Sequence, residues 1–226
     1  MEKKNFLYDK DYFYSYFKEC LEDSNKYKLI AEYWKEAIFK TNNLDTDASI
    51  LDYGCGIGLI TGALKNVTYF DVSEFPLNFL KERGRNVIFA KNGIPANRFD
   101  YVLSCHSLEH TPDPAGLLRD FLGYVKKEGK LILIIPIENE QNRRPIPTID
   151  PDYKNMHLYC WTFQTITNLL VNSGWKPVYQ DRLCGPYLLR TLARIIPMEK
   201  AVKIAHASGK LVNSYPSIIT IAEVSS

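Results

Sequence analysis

The fold class of this chain follows from nine consecutive residues, Ile50-Leu51-Asp52-Tyr53-Gly54-Cys55-Gly56-Ile57-Gly58. The apolar start predicts a β-strand, and the glycines predict a tight turn that opens a helix. Glycines let the backbone approach a ligand closely, and the first turn of a helix presents unpaired N–H groups to an anion. The segment therefore predicts a ligand site at the end of a strand.

The spacing of the glycines excludes the dinucleotide-binding fingerprint. That fingerprint is G-x-G-x-x-G, and its last position falls on Leu59 when counted from Gly54 and on Thr61 when counted from Gly56. The spacing here is G-x-G-x-G instead.

Short apolar runs alternate with helical periodicity beyond this segment, which is typical of βαβ units and a parallel sheet. Asp113 and Pro114 predict a helix start with proline at the first helical position, and this helix is expected to end at Glu128-Gly129. Thr162 and Gly174 bracket a second predicted helix. The predicted strands are 49–53, 67–71, 86–90, 99–104, 130–136, 177–182 and 217–223.

Composition excludes several classes of protein. The chain has 226 residues, of which 46% are apolar, enough to bury a core and too many for a disordered chain. With 28 basic and 26 acidic residues, the net charge of +2 argues against nucleic acid as a partner. No apolar run approaches the roughly 18 residues of a membrane span, and no signal-peptide core follows Met1. Five cysteines without a Cys-x-x-Cys pair predict free thiols and a cytoplasmic protein.

The glycine segment and three later motifs together resemble the class I S-adenosylmethionine-dependent methyltransferases. Tyr69–Ser73 resembles the second strand of that family, which ends in an acid; Phe99–Ser104 with Leu108–Pro114 resembles the fourth strand and its loop; and Gly129–Pro136 resembles the fifth strand. The similarity covers about residues 48–182 in the family's order. It implies a doubly wound α/β fold with a mostly parallel, seven-stranded Rossmann-like sheet in residues 48–226. Helical periodicity predicts a cap before this domain, 1–47, and a helical insert within it at about 187–212.

The resemblance implies S-adenosyl-L-methionine as cofactor. Gly54, Gly56 and Gly58 would form the turn beneath it, and the carboxylate of Asp71 would accept hydrogen bonds from both ribose hydroxyls. Asp52 would either bind the amino group of the cofactor or hold the turn. Two details depart from the family: Gly54 and Asp71 are only 17 residues apart, so the first helix is expected to be short, and residues 91–95 lack the usual acid. Asn92 is the substitute candidate for the adenine contact, and Ser104 is a further cofactor-binding candidate.

His106 and His110 are the candidate catalytic residues. The segment His106-Ser107-Leu108-Glu109-His110 also matches H-x-x-E-H, a zinc-peptidase motif that requires one continuous helix. Here His106 directly follows a predicted strand and Pro112 lies just beyond, so no metal site is predicted. A histidine at the end of a central strand can act as a general base near neutral pH. Whether either histidine takes a proton or only shapes the pocket stays open.

The predicted function is methyl transfer to an oxygen or nitrogen of a small or carrier-linked acceptor, and the alternative is a non-catalytic cofactor-binding subunit. The long connection from Ile137 to Trp161 is expected over the active site, where His157 and Tyr159 either reach the acceptor or have structural roles. Residues 187–210 carry an excess of basic charge beside apolar positions, so a lipid acceptor and peripheral membrane contact are both considered. Four N-terminal tyrosines could close the site as a lid: Tyr8, Tyr12, Tyr14 and Tyr16.

Overall fold

The computed structural model describes residues 8–137, 157–214 and 216–225. A seven-stranded sheet lies at its centre, with strand order β3-β2-β1-β4-β5-β7-β6, in which only β7 runs antiparallel to its two neighbours. The strands are β1, Ile50–Tyr53; β2, Val67–Phe70; β3, Asn86–Ile88; β4, Phe99–Cys105; β5, Val125–Pro136; β6, Trp175–Leu183; and β7, Ser217–Val224. All seven predicted strands and the predicted fold class are confirmed.

Helices cover both faces of the sheet, as the doubly wound fold requires. The helices are α1, Lys10–Glu22; α2, Ser24–Trp34, which continues as a π-helical turn, Lys35–Lys40; α3, Glu74–Glu82; α4, Pro114–Tyr124; α5, Phe163–Asn172; α6, Leu189–Leu192; and α7, Met198–Val212. Short 3₁₀ turns occupy Lys91–Gly93 and Leu108–His110. Asp113 caps α4 by accepting from the Gly116 N–H, as the sequence predicts. The prediction that α4 ends at Glu128 is wrong, because Val125 already pairs with Phe99 as the first residue of β5.

Side chains of alternate residues in the central strands lie in two separate apolar cores. Ile50 of β1 and Ile132 of β5 face a core completed by the N-terminal helices, α3 and α7. Leu51 and Leu131, one residue along, face the opposite core, which α4 and α5 complete. This two-sided burial is the reason for the nearly continuous apolar character of these strands.

The N-terminal helices are part of the first core. Phe13 of α1 and Tyr33 of α2 are buried there with side chains of the sheet, and the Tyr33 hydroxyl donates to the Cys184 carbonyl oxygen at 2.7 Å. A boundary at residue 47 stays a prediction, but the helical character predicted for this segment is observed. The predicted insert forms the two helices α6 and α7, separated by Pro197.

No helix follows the glycine turn, and here the sequence prediction is wrong. Residues 54–64 form successive turns instead. Gly58 has φ +70°, which interrupts a right-handed helix, and long-range contacts hold the segment in its irregular path. The Tyr27 hydroxyl donates to the carbonyl oxygens of Ile57 and Gly58, and the Arg85 guanidinium donates to those of Gly62 and Leu64.

Two further expectations bear on the surroundings of the sheet. Most of the connection from Ile137 to Trp161, predicted to cover the active site, lies outside the described residues. In the part of the chain that the structure describes, no helix is both long and apolar enough to cross a membrane.

Candidate active site

The candidate site lies where the winding of the sheet reverses, at the carboxyl ends of β1 and β4. Tyr53, the last residue of β1, pairs with Phe70 of β2 on one side and with Ser104 of β4 on the other. The connections from these two strands lead to opposite halves of the sheet, which opens a crevice for ligands. We call the turn 54–58 with Asp71 the glycine side, and His106, Glu109, His110 and His157 the histidine side.

The glycine side begins with three residues that leave no room for a side chain or adopt backbone angles that disfavour one. Gly54, Gly56 and Gly58 have φ values of +71°, +50° and +70°. A Cβ on Gly54 would lie 2.1 Å from the Ser107 hydroxyl oxygen, and one on Gly58 would lie 2.8 Å from the Leu80 side chain. The left-handed angles turn the backbone through a tight concave bend, which brings main-chain N–H groups toward the end of β2.

Asp71 follows β2 directly and receives these N–H groups. Its carboxylate accepts from the Gly56 N–H at 2.8 Å and from the Ser73 N–H at 2.9 Å. The residue is buried, and desolvation raises the pKa of its carboxyl above the ordinary value, although the backbone hydrogen bonds counteract this. Asp71 is therefore a fixed hydrogen-bond acceptor at the rim of the glycine turn.

Asp52 lies inside β1 and holds the far end of the turn. Its carboxylate accepts from the Thr61 hydroxyl at 2.6 Å. Burial raises the pKa of Asp52 to about 7; the Thr61 hydrogen bond opposes the shift and the nearby charge of Asp71 adds to it. This hydrogen bond supports a role in holding the turn, and binding of the cofactor amino group stays a prediction.

His106 is the first residue of the histidine side, and its backbone conformation is rare for residues other than glycine. Its φ is +50°, its N–H donates to the Ile134 carbonyl oxygen at 2.9 Å, and its Nε2 lies 2.9 Å from the Ser217 hydroxyl oxygen. Such angles cost free energy and recur at functional sites. Desolvation, together with the neighbouring His157 and His110, lowers the pKa of His106 to about 4.

His110 is the last residue of the 3₁₀ turn. Its Nε2 is 3.9 Å from Oε1 of the buried Glu109, and its ring meets the ring of His157 edge to face, with centroids 4.8 Å apart. A strand end and a 3₁₀ turn thus replace the continuous helix that a zinc-peptidase motif needs, as the sequence predicts. The approach of His157 brings one residue of the long connection to the site.

Comparison with known proteins identifies the family. A family model described as a methyltransferase domain matches residues 24–180, more than half of the chain. The chain belongs to the class I S-adenosylmethionine-dependent methyltransferases. The resemblance seen in the sequence is thereby confirmed.

Individual methyltransferases match at low identity. The ubiquinone biosynthesis O-methyltransferase of Pseudoalteromonas translucida is 28% identical over an alignment of 159 residues, and the match covers 57% of this chain and 66% of that protein. The enzyme of the same name from Coxiella burnetii is 33% identical over an alignment of 95 residues, and the match covers 36% of this chain and 41% of that protein. The chain thus spans less than two thirds of these relatives. The structure of Burkholderia thailandensis 1,6-didemethyltoxoflavin-N1-methyltransferase, with S-adenosylhomocysteine bound, has a TM-score of 0.56 at 15% identity and covers 95% of this chain and 86% of that one.

Helix α1 of this methyltransferase covers the site from the N-terminal side. The Ser73 hydroxyl donates to the Tyr8 carbonyl oxygen at 2.6 Å, and the Phe13 ring lies 3.5 Å from the position of a Cβ on Gly56. Burial, then the charges of Glu109 and Asp71, raise the pKa of the Tyr8 hydroxyl, so Tyr8 lies within reach of both sides. Neither Phe13 nor Ser73 is among the sequence-predicted site residues, because only tertiary contacts bring them here.

Ser104 and Asn92, two of the predicted cofactor-binding residues, lie in different surroundings, one buried and one exposed. Ser104 is completely buried between β1 and β5, and its hydroxyl has no hydrogen-bond partner among the described residues. Asn92 is exposed on the 3₁₀ turn Lys91–Gly93, and within the described ranges its side chain makes no hydrogen bond. Its role at the adenine stays a prediction.

The glycine side fits S-adenosyl-L-methionine. Three glycines in the turn allow close approach of a ligand to the backbone, and a buried carboxylate at the end of β2 is positioned to accept from vicinal hydroxyls. The site therefore has the elements that the family's cofactor requires. The expected helix N-terminus is absent, and main-chain N–H groups of the turn take its place.

Proposed function

We propose that this protein transfers a methyl group from S-adenosyl-L-methionine to an oxygen or nitrogen of a small or carrier-linked molecule. The observation that carries the proposal is the Asp71 carboxylate, which accepts from the Gly56 N–H at 2.8 Å beside a turn in which Gly54 and Gly58 have no room for a side chain. Gly54, Gly56, Gly58 and Asp71 would hold the cofactor, which supplies a methyl group on a positively charged sulfur.

The chain itself contributes orientation and exclusion of water. Holding two reactants in line can contribute roughly 7–11 kcal/mol to lowering a barrier. The glycine turn and Asp71 would fix the donor, while Tyr8 and Phe13 of the N-terminal segment lie over the same region. We infer that these aromatic residues close over the bound ligands.

We propose that His106 or His110 contacts the acceptor and receives its proton. His106 is neutral near pH 7 because its pKa is about 4, so its ring can accept a hydrogen bond but is a weak base. A closed apolar surface would favour a non-catalytic cofactor-binding protein. The histidine side is polar instead, with Glu109 and His157 adjoining His110.

A small acceptor with a hydroxyl or amino group is favoured. Relatives named for ubiquinone biosynthesis are O-methyltransferases, and a neighbouring structure is an N-methyltransferase. Because their identity to this chain is low, we propose only the chemical class of its acceptor.

Calorimetric titration with S-adenosylhomocysteine tests the cofactor assignment. We expect micromolar binding by the native protein, no response to NADH, and at least tenfold weaker binding by Asp71→Asn, because the amide has one acceptor oxygen instead of two and no negative charge. Asp47→Asn is the matched control, since Asp47 is exposed and precedes β1, whereas the turn follows the other end of that strand. Equal affinity for the two variants would refute the role of Asp71.

Turnover with a labelled methyl donor tests the histidines. The double variant His106→Asn/His110→Asn is expected to lose roughly 10²- to 10⁴-fold in kcat, the usual contribution of a general base, while its affinity for S-adenosylhomocysteine is unchanged. His206→Asn, on the distant helix α7, is the control. Full turnover by the double variant would leave proximity as the sole mechanism.

Contact of the insert with an anionic membrane surface is proposed as a secondary property. Its support is the exposed side chains of Ile195, Ile204 and Leu211. Three of the five basic residues are already paired with acids: Arg190 with Glu19, Lys203 with Glu199 and Lys210 with Asp181. Arg194 and Lys200 are therefore the cations assigned to lipid headgroups.

Flotation with vesicles containing phosphatidylserine tests the contact. Native protein and the control Lys65→Gln/Lys127→Gln are expected to float, and Arg194→Gln/Lys200→Gln is expected to stay in the soluble fraction, because each cation near the surface contributes about 1 kcal/mol. Failure of the native protein to float would exclude the membrane contact and favour a soluble acceptor.

A further inference from the structure

We propose that Glu109, His110 and His157 bind a divalent transition-metal ion of the zinc class on the histidine side. Each of them offers one ligand atom, and these three atoms all lie within 4.8 Å of one another. No metal site is predicted from the sequence, because His157 lies 47 residues beyond His110 and reaches it only in the folded chain. The site differs from the H-x-x-E-H pair, since His106 turns away toward Ser217.

The distances are close to those of a coordinated ion. With metal–ligand bonds of about 2.1 Å, neighbouring ligand atoms of a tetrahedral site lie roughly 3.4 Å apart. Glu109 Oε1 and His110 Nε2 are separated by 3.9 Å, and the rings of His110 and His157 lie 4.8 Å apart at 70°. Because the three ligand atoms lie within 4.8 Å of one another, side-chain rotations that bring them up to about 1.4 Å closer would close the site.

Backbone contacts hold the three donors in place independently of an ion. Glu109 and His110 belong to the same 3₁₀ turn, and the Leu158 N–H donates to the Glu109 carbonyl oxygen at 2.8 Å. The Tyr159 hydroxyl donates to the Pro112 carbonyl oxygen at 2.9 Å. The segment that begins at His157 is thus attached to the loop after β4 at two points, Glu109 and Pro112.

Two imidazole nitrogens and one carboxylate oxygen form a donor set that suits zinc, iron or cobalt rather than calcium or magnesium. The side chain of Glu109 is fully buried and that of His110 is only 17% exposed, so the donors lie beneath the surface rather than on it. Three protein ligands leave at least one coordination position open, as in catalytic rather than structural sites.

The open position would accept an oxygen of the methyl acceptor, and this part of the inference rests on the proposed function. Tyr8 packs edge to face on His110, with centroids 5.8 Å apart, and its carbonyl oxygen accepts from the hydroxyl of Ser73, two residues beyond Asp71, at 2.6 Å. The metal site therefore adjoins the glycine side. While the ion is bound, the lone pair of His110 is committed to it, so His110 positions the ion and cannot also take the proton.

Titration of tag-free, chelator-treated full-length protein with Co²⁺ and Zn²⁺ tests the site. Calorimetry is expected to give one ion per chain with micromolar or tighter affinity, and Co²⁺ is expected to produce the visible absorption of a four- or five-coordinate site. Glu109→Gln and His157→Asn should each weaken binding at least tenfold. His206→Asn is the matched control, because His206 is a partly buried histidine on α7 outside the cluster.

The outcomes separate the metal site from the methyltransferase assignment, since each variant is also titrated with S-adenosylhomocysteine. Retained S-adenosylhomocysteine binding with no saturable metal binding would overturn the metal site alone. Equal metal affinity for His157→Asn and His206→Asn would overturn it as well. Metal binding without any S-adenosylhomocysteine binding would instead contradict the proposed function and leave the metal site standing.

Discussion

At the scale of single residues, Gly58 shows how the turn depends on the absence of a side chain. A Cβ there would lie 2.8 Å from Leu80 and 2.9 Å from Tyr69, at φ +70°. Gly58→Ala is expected to lower the free energy of unfolding by about 2–5 kcal/mol, the sum of backbone strain and overpacking. Gly84 has φ +72°, and a Cβ there would have no other atom within 4 Å. Gly84→Ala therefore tests backbone strain alone and should lower the free energy of unfolding by about 1–2 kcal/mol. Urea unfolding of both variants measures the difference; equal losses would contradict the clash.

Asp52 makes stability depend on pH. Its pKa is about 7 in the folded protein and lies near 3.8 when unfolded, so folding takes up a proton between these values. The free energy of unfolding contributed by this group is therefore largest below pH 4 and falls as the pH rises to about 7, by up to about 4 kcal/mol. Asp52→Asn keeps an acceptor for Thr61 but does not titrate. Urea unfolding at pH 5 and pH 8 should show the native protein losing stability relative to the variant, and parallel curves would refute the shift.

At the scale of elements, α2 holds the glycine turn through one hydroxyl. Tyr27 donates to the Ile57 and Gly58 carbonyl oxygens at 3.1 Å and 2.9 Å. Tyr27→Phe is expected to cost about 1–3 kcal/mol of stability and to weaken binding of S-adenosylhomocysteine, because the turn loses its anchor. Tyr33→Phe, which removes a hydrogen bond from the same helix to Cys184, should cost a similar amount and leave binding unchanged. Calorimetry and urea unfolding compare the two, and weaker binding by both would point to a general loss of structure.

At the scale of the whole molecule, the doubly wound sheet separates a rigid centre from a peripheral insert. Strands β1, β4 and β5 are buried on both faces, whereas α6 and α7 expose Ile195, Ile204 and Leu211. Hydrogen-exchange mass spectrometry should therefore find slow exchange in the central strands and faster exchange in 189–212. S-adenosylhomocysteine is expected to add protection at 54–58 and 71–73 and none in the insert. Protection of the insert alone would place the ligand elsewhere.

The sequence by itself determined the class of fold, all seven strands and the position of Asp71 and the three glycines at strand ends. Such features depend on local periodicity and on the backbone requirements of glycine, which a linear pattern carries. The placement of His106 directly after a strand was equally local. The family resemblance followed because these motifs occur in one order.

Only the tertiary structure decided what surrounds those residues. The expected helix after Gly58 is absent because Tyr27 and Arg85, distant in the chain, supply hydrogen bonds that favour the turns. The hydrogen bond between His106 and Ser217 spans 111 positions, and no local pattern predicts it. The approach of His157 to Glu109 likewise depends on how the chain returns to the end of β4. Contacts of this kind depend on how elements pack in three dimensions, since a side chain's partners are set by spatial proximity rather than by spacing along the chain.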